Sequence, residues 1–146
     1  MPLDPTEHGF PENPYNPHAW IIGDPEIGER CWIGAFTVLD GSGGLTIGAG
    51  CDISCGAHIY THSTVHRTIS ERSHPEPDRQ PTRIGAHCHV GANAIILMGC
   101  DIGDHSIVGA GAVVREGTVV PPWSVVVGVP ARIIADGARR FSSPSA

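Results

Sequence analysis

An aliphatic residue opens a six-residue unit fourteen times in this chain, with few breaks between units. The openers are Ile27, Ile33, Leu39, Ile47, Ile53, Ile59, Ile84, Val90, Ile96, Ile102, Val108, Val114, Val120 and Val126. In eleven units a small residue follows four places on: Cys31, Thr37, Cys51, Ala57, Cys88, Ala94, Cys100, Ser106, Ala112, Thr118 and Ser124. Isoleucine, leucine and valine supply only 31 of the 146 residues, so abundance does not produce this phasing. A period of six is neither the helical repeat nor the two-residue alternation of an ordinary strand. It predicts a solenoid, in which short strands stack coil on coil and each coil contacts only its neighbours.

Three units make an 18-residue coil, and the registers fit: 27 to 39, 47 to 59, 84 to 96, 102 to 114, and a last partial coil from 120. Successive coils pair as parallel strands about 4.8 Å apart, so the openers line up in internal columns. The second residue of a unit is usually glycine, expected here to serve a corner with unusual dihedrals. The expected fold is an all-β parallel helix over residues 21–135. A Pro-rich N-terminal arm (1–20) precedes it, and a frayed tail (136–146) follows.

The formal net charge is −6 and all nine basic residues are arginine, which argues against a nucleic-acid surface. No apolar run is long enough for a transmembrane helix, and the first twenty residues lack the basic and apolar regions of a signal peptide. A cytoplasmic protein without membrane partners is expected. Of five cysteines, Cys31, Cys51, Cys88 and Cys100 fall at the small inward place of their units, where a thiol acts as a small hydrophobe. Only Cys55 is off that register. No CxxC pair occurs, and no metal is expected.

The period stops once at length, over about residues 60–83, "YTHSTVHRTISERSHPEPDRQPTR". Solenoids expel insertions onto one face, often the binding face. This one carries His62, His66 and His74.

Units such as "IGERCW", "IGAGCD", "IGAHCH" and "IGDHSI", with "VGANAIILMGCDIGDHSIVGAGAVV" and the closing "VVVGVPARII", resemble the left-handed β-helix of hexapeptide-repeat acyltransferases. The closing coils are similar to those of bacterial sugar O-acetyltransferases. The resemblance implies acetyl-CoA as cosubstrate, a homotrimer with sites at subunit boundaries, and a small hydroxylated acceptor such as a sugar. It also implies a catalytic histidine in the loop after an "IYT" strand end. Here "IYTHST" offers His62, with His66 as the alternative base, whereas the galactoside group, "IYTAGHP", has its histidine two places later. Imidazole has the right chemistry for a base. An alcohol attacks a thioester only once its proton is taken, and a group with an ordinary pKa near ~6.5 can take it near neutrality. Ala92 and Ala110, one coil apart, match backbone positions that meet the thioester and pantetheine. Arg115 and Arg132 match positions that hold CoA phosphates, a role suited to guanidinium. Tyr60, His66 and His89 are the expected substrate-lining residues. Gly56 stands where the galactoside group has an acceptor-binding Asn.

Two other readings stand beside the acetyltransferase. A γ-class carbonic anhydrase shares the β-helix but needs three histidines with an H-G-x-x-x-x-H spacing, which His87, His89 and His105 do not have. The third is a non-catalytic scaffold subunit.

Overall fold

The computed structural model describes residues 9–144. Residues 1–8 of the expected arm and 145–146 of the expected tail lie outside the described residues.

Five coils each give one short strand to each of three parallel sheets. The first coil contains β1 (Trp20–Ile22), β2 (Glu26–Ile27) and β3 (Trp32–Ile33); the second contains β4 (Val38–Asp40), β5 (Leu45–Ile47) and β6 (Asp52–Ile53). The third coil begins with β7 (His58–Ile59). It is interrupted by β8 (His62–Ser63), helix α1 (Val65–Ile69) and β9 (Asp78–Arg79), and resumes with β10 (Thr82–Ile84) and β11 (His89–Val90). The fourth contains β12 (Ile95–Ile96), β13 (Asp101–Ile102) and β14 (Ile107–Val108). The fifth contains β15 (Val113–Val114), β16 (Val119–Val120) and β17 (Val125–Gly128), after which β18 (Ala131–Ile134) reverses direction. Sheet I is β1-β4-β7-β12-β15, sheet II is β2-β5-β10-β13-β16, and sheet III runs β3-β6-β11-β14-β17-β18. The result is the parallel β-solenoid that the six-residue period requires.

The predicted columns are present. Ile47, Ile84, Ile102 and Val120 stack in sheet II, and Ile33, Ile53, Val90, Val108 and Val126 in sheet III. Every opener from Ile33 onward is buried; Ile27, in the first coil, is only partly covered. Ile21 extends the sheet I column by one coil, pairing with Leu39. Of the in-register thiols, Cys51, Cys88 and Cys100 are buried, while Cys31, in the first coil, is partly exposed. They do more than fill space: the sulfurs of Cys31, Cys51, Cys88 and Cys100 lie 3.0–3.2 Å from carbonyl oxygens of Gly48, Gly85, Gly103 and Arg115 in the neighbouring coil.

The corner glycines are explained differently than expected. The second-place glycine of a unit does not adopt the left-handed conformation; a Cβ on Gly48 would come within 2.5 Å of the Ala86 nitrogen in the next coil. Coil-to-coil approach excludes a side chain there. The left-handed turn belongs to the fourth place, held by Arg30, Phe36, Gly50, Gly56, His87, Asn93, Gly99, His105, Gly111, Gly117 and Trp123. Each non-glycine residue there costs roughly 1–2 kcal/mol. On one edge this cost is offset by stacking: His87 lies 5.2 Å from His105, His105 lies 4.2 Å from Trp123, and the Arg139 guanidinium lies 5.0 Å from the Trp123 ring.

The tail is also different from the frayed end expected. Beyond β18 the Ala138 N–H donates to the Trp123 carbonyl (3.0 Å), Ala138 is buried, and Arg139–Phe141 forms a 3-10 turn against the last coil. Among the described residues no helix is long and apolar enough to cross a membrane.

Candidate functional site

The corner between sheets I and II is where the period breaks twice. In the second coil the break is "DGSGG" after Leu39; in the third it is the long excursion after Ile59. The two breaks lie one above the other. Gly43 is needed for this fit, since a Cβ there would sit 2.3 Å from the Thr61 carbonyl oxygen. The Thr61 hydroxyl donates to the Asp40 carbonyl (2.8 Å) and accepts from the Gly43 N–H (2.8 Å), so the two coils are locked at this edge.

That lock presents a buried carboxylate to the loop histidine. Asp40 has no solvent exposure. One of its oxygens accepts from the Ser42 N–H (2.9 Å), the other from the Thr61 N–H (2.9 Å) and from Nδ1 of His62. Burial pushes the Asp40 carboxyl up, but the hydrogen bonds from His62, Thr61 and Ser42 outweigh it and hold the group well below the usual carboxylate range. A folded-state pKa below the unfolded one stabilises the fold above the ordinary value of ~3.9, and that contribution is lost as pH falls through the folded value. Asp40 is therefore ionised throughout the neutral range. A carboxylate only accepts, so Nδ1 of His62 carries a proton, and in the neutral ring Nε2 is the free acceptor.

His62 sits on β8, which pairs antiparallel with β9 (His62 with Arg79, Ser63 with Asp78). Its side chain is 31% exposed. The Tyr60 ring meets His62 edge-on at 6.1 Å, and the Tyr60 hydroxyl shares a hydrogen bond with Nδ1 of His58 (3.0 Å). Burial, then the Asp40 charge, raises the Tyr60 phenol, keeping it neutral beside the histidine. The arrangement can take a proton from a substrate hydroxyl or amine and stabilise the resulting imidazolium against Asp40.

The other expected site residues are not gathered here within one chain. Ala92 and Ala110 are exposed at the corner between sheets III and I, where the Gly111 N–H donates to the Ala92 carbonyl (2.9 Å). Arg115 is exposed at the His62 corner but two coils further on, a rise of about 10 Å. Arg132 is exposed on β18, opposite Val127. His89 faces outward from sheet III and lines a cavity of about 360 Å³ with His87, His105, Ile107, Trp123 and Phe141, which His62 does not reach. His66 lies further out on the excursion, stacked on His74. Of the substrate-lining set, only Tyr60 sits beside His62.

Asp40 is not among the residues that the sequence alone singles out. It stands outside the small-residue register, 22 residues before its partner. The available signal is a break of the period at the same corner one coil before the excursion.

With this geometry, the class of protein follows. The profile described as the hexapeptide repeat of succinyl-transferase matches residues 26–61 and 81–116. The chain belongs to the hexapeptide-repeat acyltransferase family. It is 33% identical to the carnitine operon protein CaiE of Citrobacter koseri over 137 residues, 92% of this chain and 68% of that protein. It spans 62% of the length of the Escherichia coli K12 CaiE. Among solved structures, a variant of AntD, an N-acyltransferase from Bacillus cereus in complex with dTDP and coenzyme A, superposes with a TM-score of 0.70 at 26% identity, over 82% of this chain and 67% of that one. A hexapeptide-repeat acetyltransferase of Vibrio cholerae complexed with acetyl coenzyme A gives 0.64 at 35% identity, over 75% of this chain and 58% of that one.

Proposed function

We propose that this protein transfers an acetyl group from acetyl-CoA to a hydroxyl of a sugar or related metabolite, with His62 as general base and Asp40 as its positioning residue. The observation that carries the reading is the buried Asp40 carboxylate fixing Nδ1 of His62. In this reaction Nε2 takes the acceptor's proton as its oxygen attacks the thioester carbon. Backbone N–H groups suit the developing oxyanion. The C–S bond then breaks, and His62 returns the proton to the departing thiolate. CoA-bound structural relatives support the donor class. Acceptor-dependent thiol release from acetyl-CoA, screened across hydroxylated compounds, tests the reading; absence of release with every acceptor overturns it. An amine acceptor is the second reading, favoured by the likeness to an N-acyltransferase. Hydroxylamine cleaves an ester product and spares an amide, which separates the two.

Under this reading Ala92 and Ala110, which the resemblance assigns to the thioester and pantetheine, lie at a different corner from His62 and would be supplied by a neighbouring subunit. The resemblance implies a homotrimer, and that assembly is the one proposed. Light scattering that gives a stable monomer at micromolar concentration would sink the shared site. Arg132 is assigned to a CoA phosphate. Arg132→Ala should raise the apparent constant for acetyl-CoA about tenfold or more, from loss of a charge-assisted hydrogen bond, with turnover largely kept. Equal use of acetyl-CoA by wild type and variant would remove Arg132 from the site.

A further inference from the structure

The excursion carries a second cluster of donor groups beyond the His62 corner. Nδ1 of His66 lies 3.9 Å from one Asp78 oxygen, and Nε2 of His74 lies 3.2 Å from the other. All three donor atoms fall within 4.8 Å of one another; among the described residues no other three histidine, cysteine or acidic side chains do so. The donors arrive from three pieces of chain: His66 from α1, His74 from the turn after it, and Asp78 from β9. We propose that His66, His74 and Asp78 bind one divalent transition-metal ion of the zinc class, with water at the fourth position, and that the ion cross-links the excursion internally, pinning α1 and the turn after it to β9.

The donor chemistry selects the ion. Two imidazoles and one carboxylate suit zinc, cobalt, nickel or copper(II), whereas calcium and magnesium require oxygen donors throughout. Metal–ligand bonds of about 2.0–2.1 Å in a tetrahedron put ligand atoms about 3.4 Å apart. Nε2 of His74 already stands at about this distance from one Asp78 oxygen, whereas Nδ1 of His66 lies 3.9 Å from the other, so His66 must move for both to share one ligand oxygen. The two rings are stacked at 3.9 Å and 12°, so both lone pairs cannot yet aim at one point. Binding turns one imidazole out of the stack. His66 is free to do this, with its side chain 59% exposed, and the same opening admits the ion.

The excursion also lacks the core that would otherwise hold it. Helix α1 buries no residue, and Val65 and Ile69 project into solvent. Its base is held by the Asp40 bonds to Thr61 and His62, but beyond them the two-residue pairing of β8 with β9 and backbone bonds such as the Gln80 N–H to the Thr61 carbonyl (3.0 Å) do the tying, not an apolar core. Small segments without an apolar core are commonly held by a metal. Asp78 pairs with Ser63, the neighbour of His62, so the cross-link reaches the ribbon that carries the proposed base. The inference does not depend on acyl transfer.

The test uses the whole chain stripped with chelator. Calorimetric titration with Zn²⁺ should show one equivalent bound with a Kd of about 1 μM or tighter. Co²⁺ should give the intense visible bands of a four-coordinate site. The chain has no lysine, so trypsin cuts only after arginine, and Arg67 and Arg72 lie between the proposed ligands. Zn²⁺ should slow cleavage at these two sites about tenfold or more. His66→Ala, His74→Ala and Asp78→Asn should each weaken Zn²⁺ binding at least about tenfold and abolish the protection, while His89→Ala leaves both intact. Binding weaker than about 0.1 mM, an equivalent retained in all three variants, or unchanged cleavage rates would overturn the proposal.

Discussion

His62→Ala lowers turnover by at least about 10²-fold and leaves acetyl-CoA binding nearly unchanged, because a positioned base acts in the chemical step. Steady-state kinetics with saturating acceptor read this directly. Asp40, held ionised across the neutral range, does not itself shape the rate there. Asp40→Asn produces a comparable fall by another route. Both Asp40 oxygens accept from N–H groups, one from Ser42 and the other from Thr61 and His62. An amide turns one of these acceptors into a donor facing a donor. This frees or flips His62 and costs about 1–3 kcal/mol of stability. The paired readout, lost turnover with a displaced pH profile, separates positioning from simple destabilisation. If His66→Ala abolished turnover while His62→Ala spared it, the base would be His66. If neither mattered, acyl transfer by this mechanism would be wrong for the chain.

Ile102→Asp yields no soluble folded protein. Ile102 is fully buried between Ile84 and Val120 in the sheet II column. A carboxyl group there loses its hydration, at a cost of about 4–7 kcal/mol whether it stays charged or takes up a proton. The lost aliphatic burial adds about 2–3 kcal/mol. Together these consume most of the total stability of a domain this size, about 5–15 kcal/mol. The preceding residue provides the control. Asp101 faces outward and pairs with Arg83 at 3.0 Å, an exposed ion pair worth about 0–1 kcal/mol. Asp101→Ala should therefore melt close to wild type. A soluble Ile102→Asp variant with a normal melting transition would contradict the column.

The solenoid is readable from the sequence because its core is periodic: one opener, one small residue and one sharp corner, repeated with the coil. Wherever that repetition holds, as from Ile84 to Val126, each residue's environment follows from its place in the unit. The reason for the glycines does not follow. A six-letter pattern cannot distinguish a glycine needed for its own dihedrals from one needed by the coil above. The Asp40–His62 pair is half legible for a related reason. His62 lies in a recognisable strand-end motif, but Asp40 meets it only after a full coil has closed. The tail reads as frayed because its anchors are single contacts, Ala138 on Trp123 and Arg139 over the Trp123 ring, that no repeat announces.

The reversal at β18 has a bearing on how such a molecule behaves in a crowd of its own copies. A stack of parallel coils is formally a polymer whose last rung is a template for the next, with its amides and carbonyls directed along the growth axis. By folding back on β17, β18 occupies the end of sheet III with a strand running the opposite way. A second copy arriving end-on finds the wrong polarity on one side of the prism and cannot continue all three sheets together. A single change of chain direction thus covers the last parallel rung of sheet III, one of the ways a fold that is fibre-like in its internal logic blunts its own end.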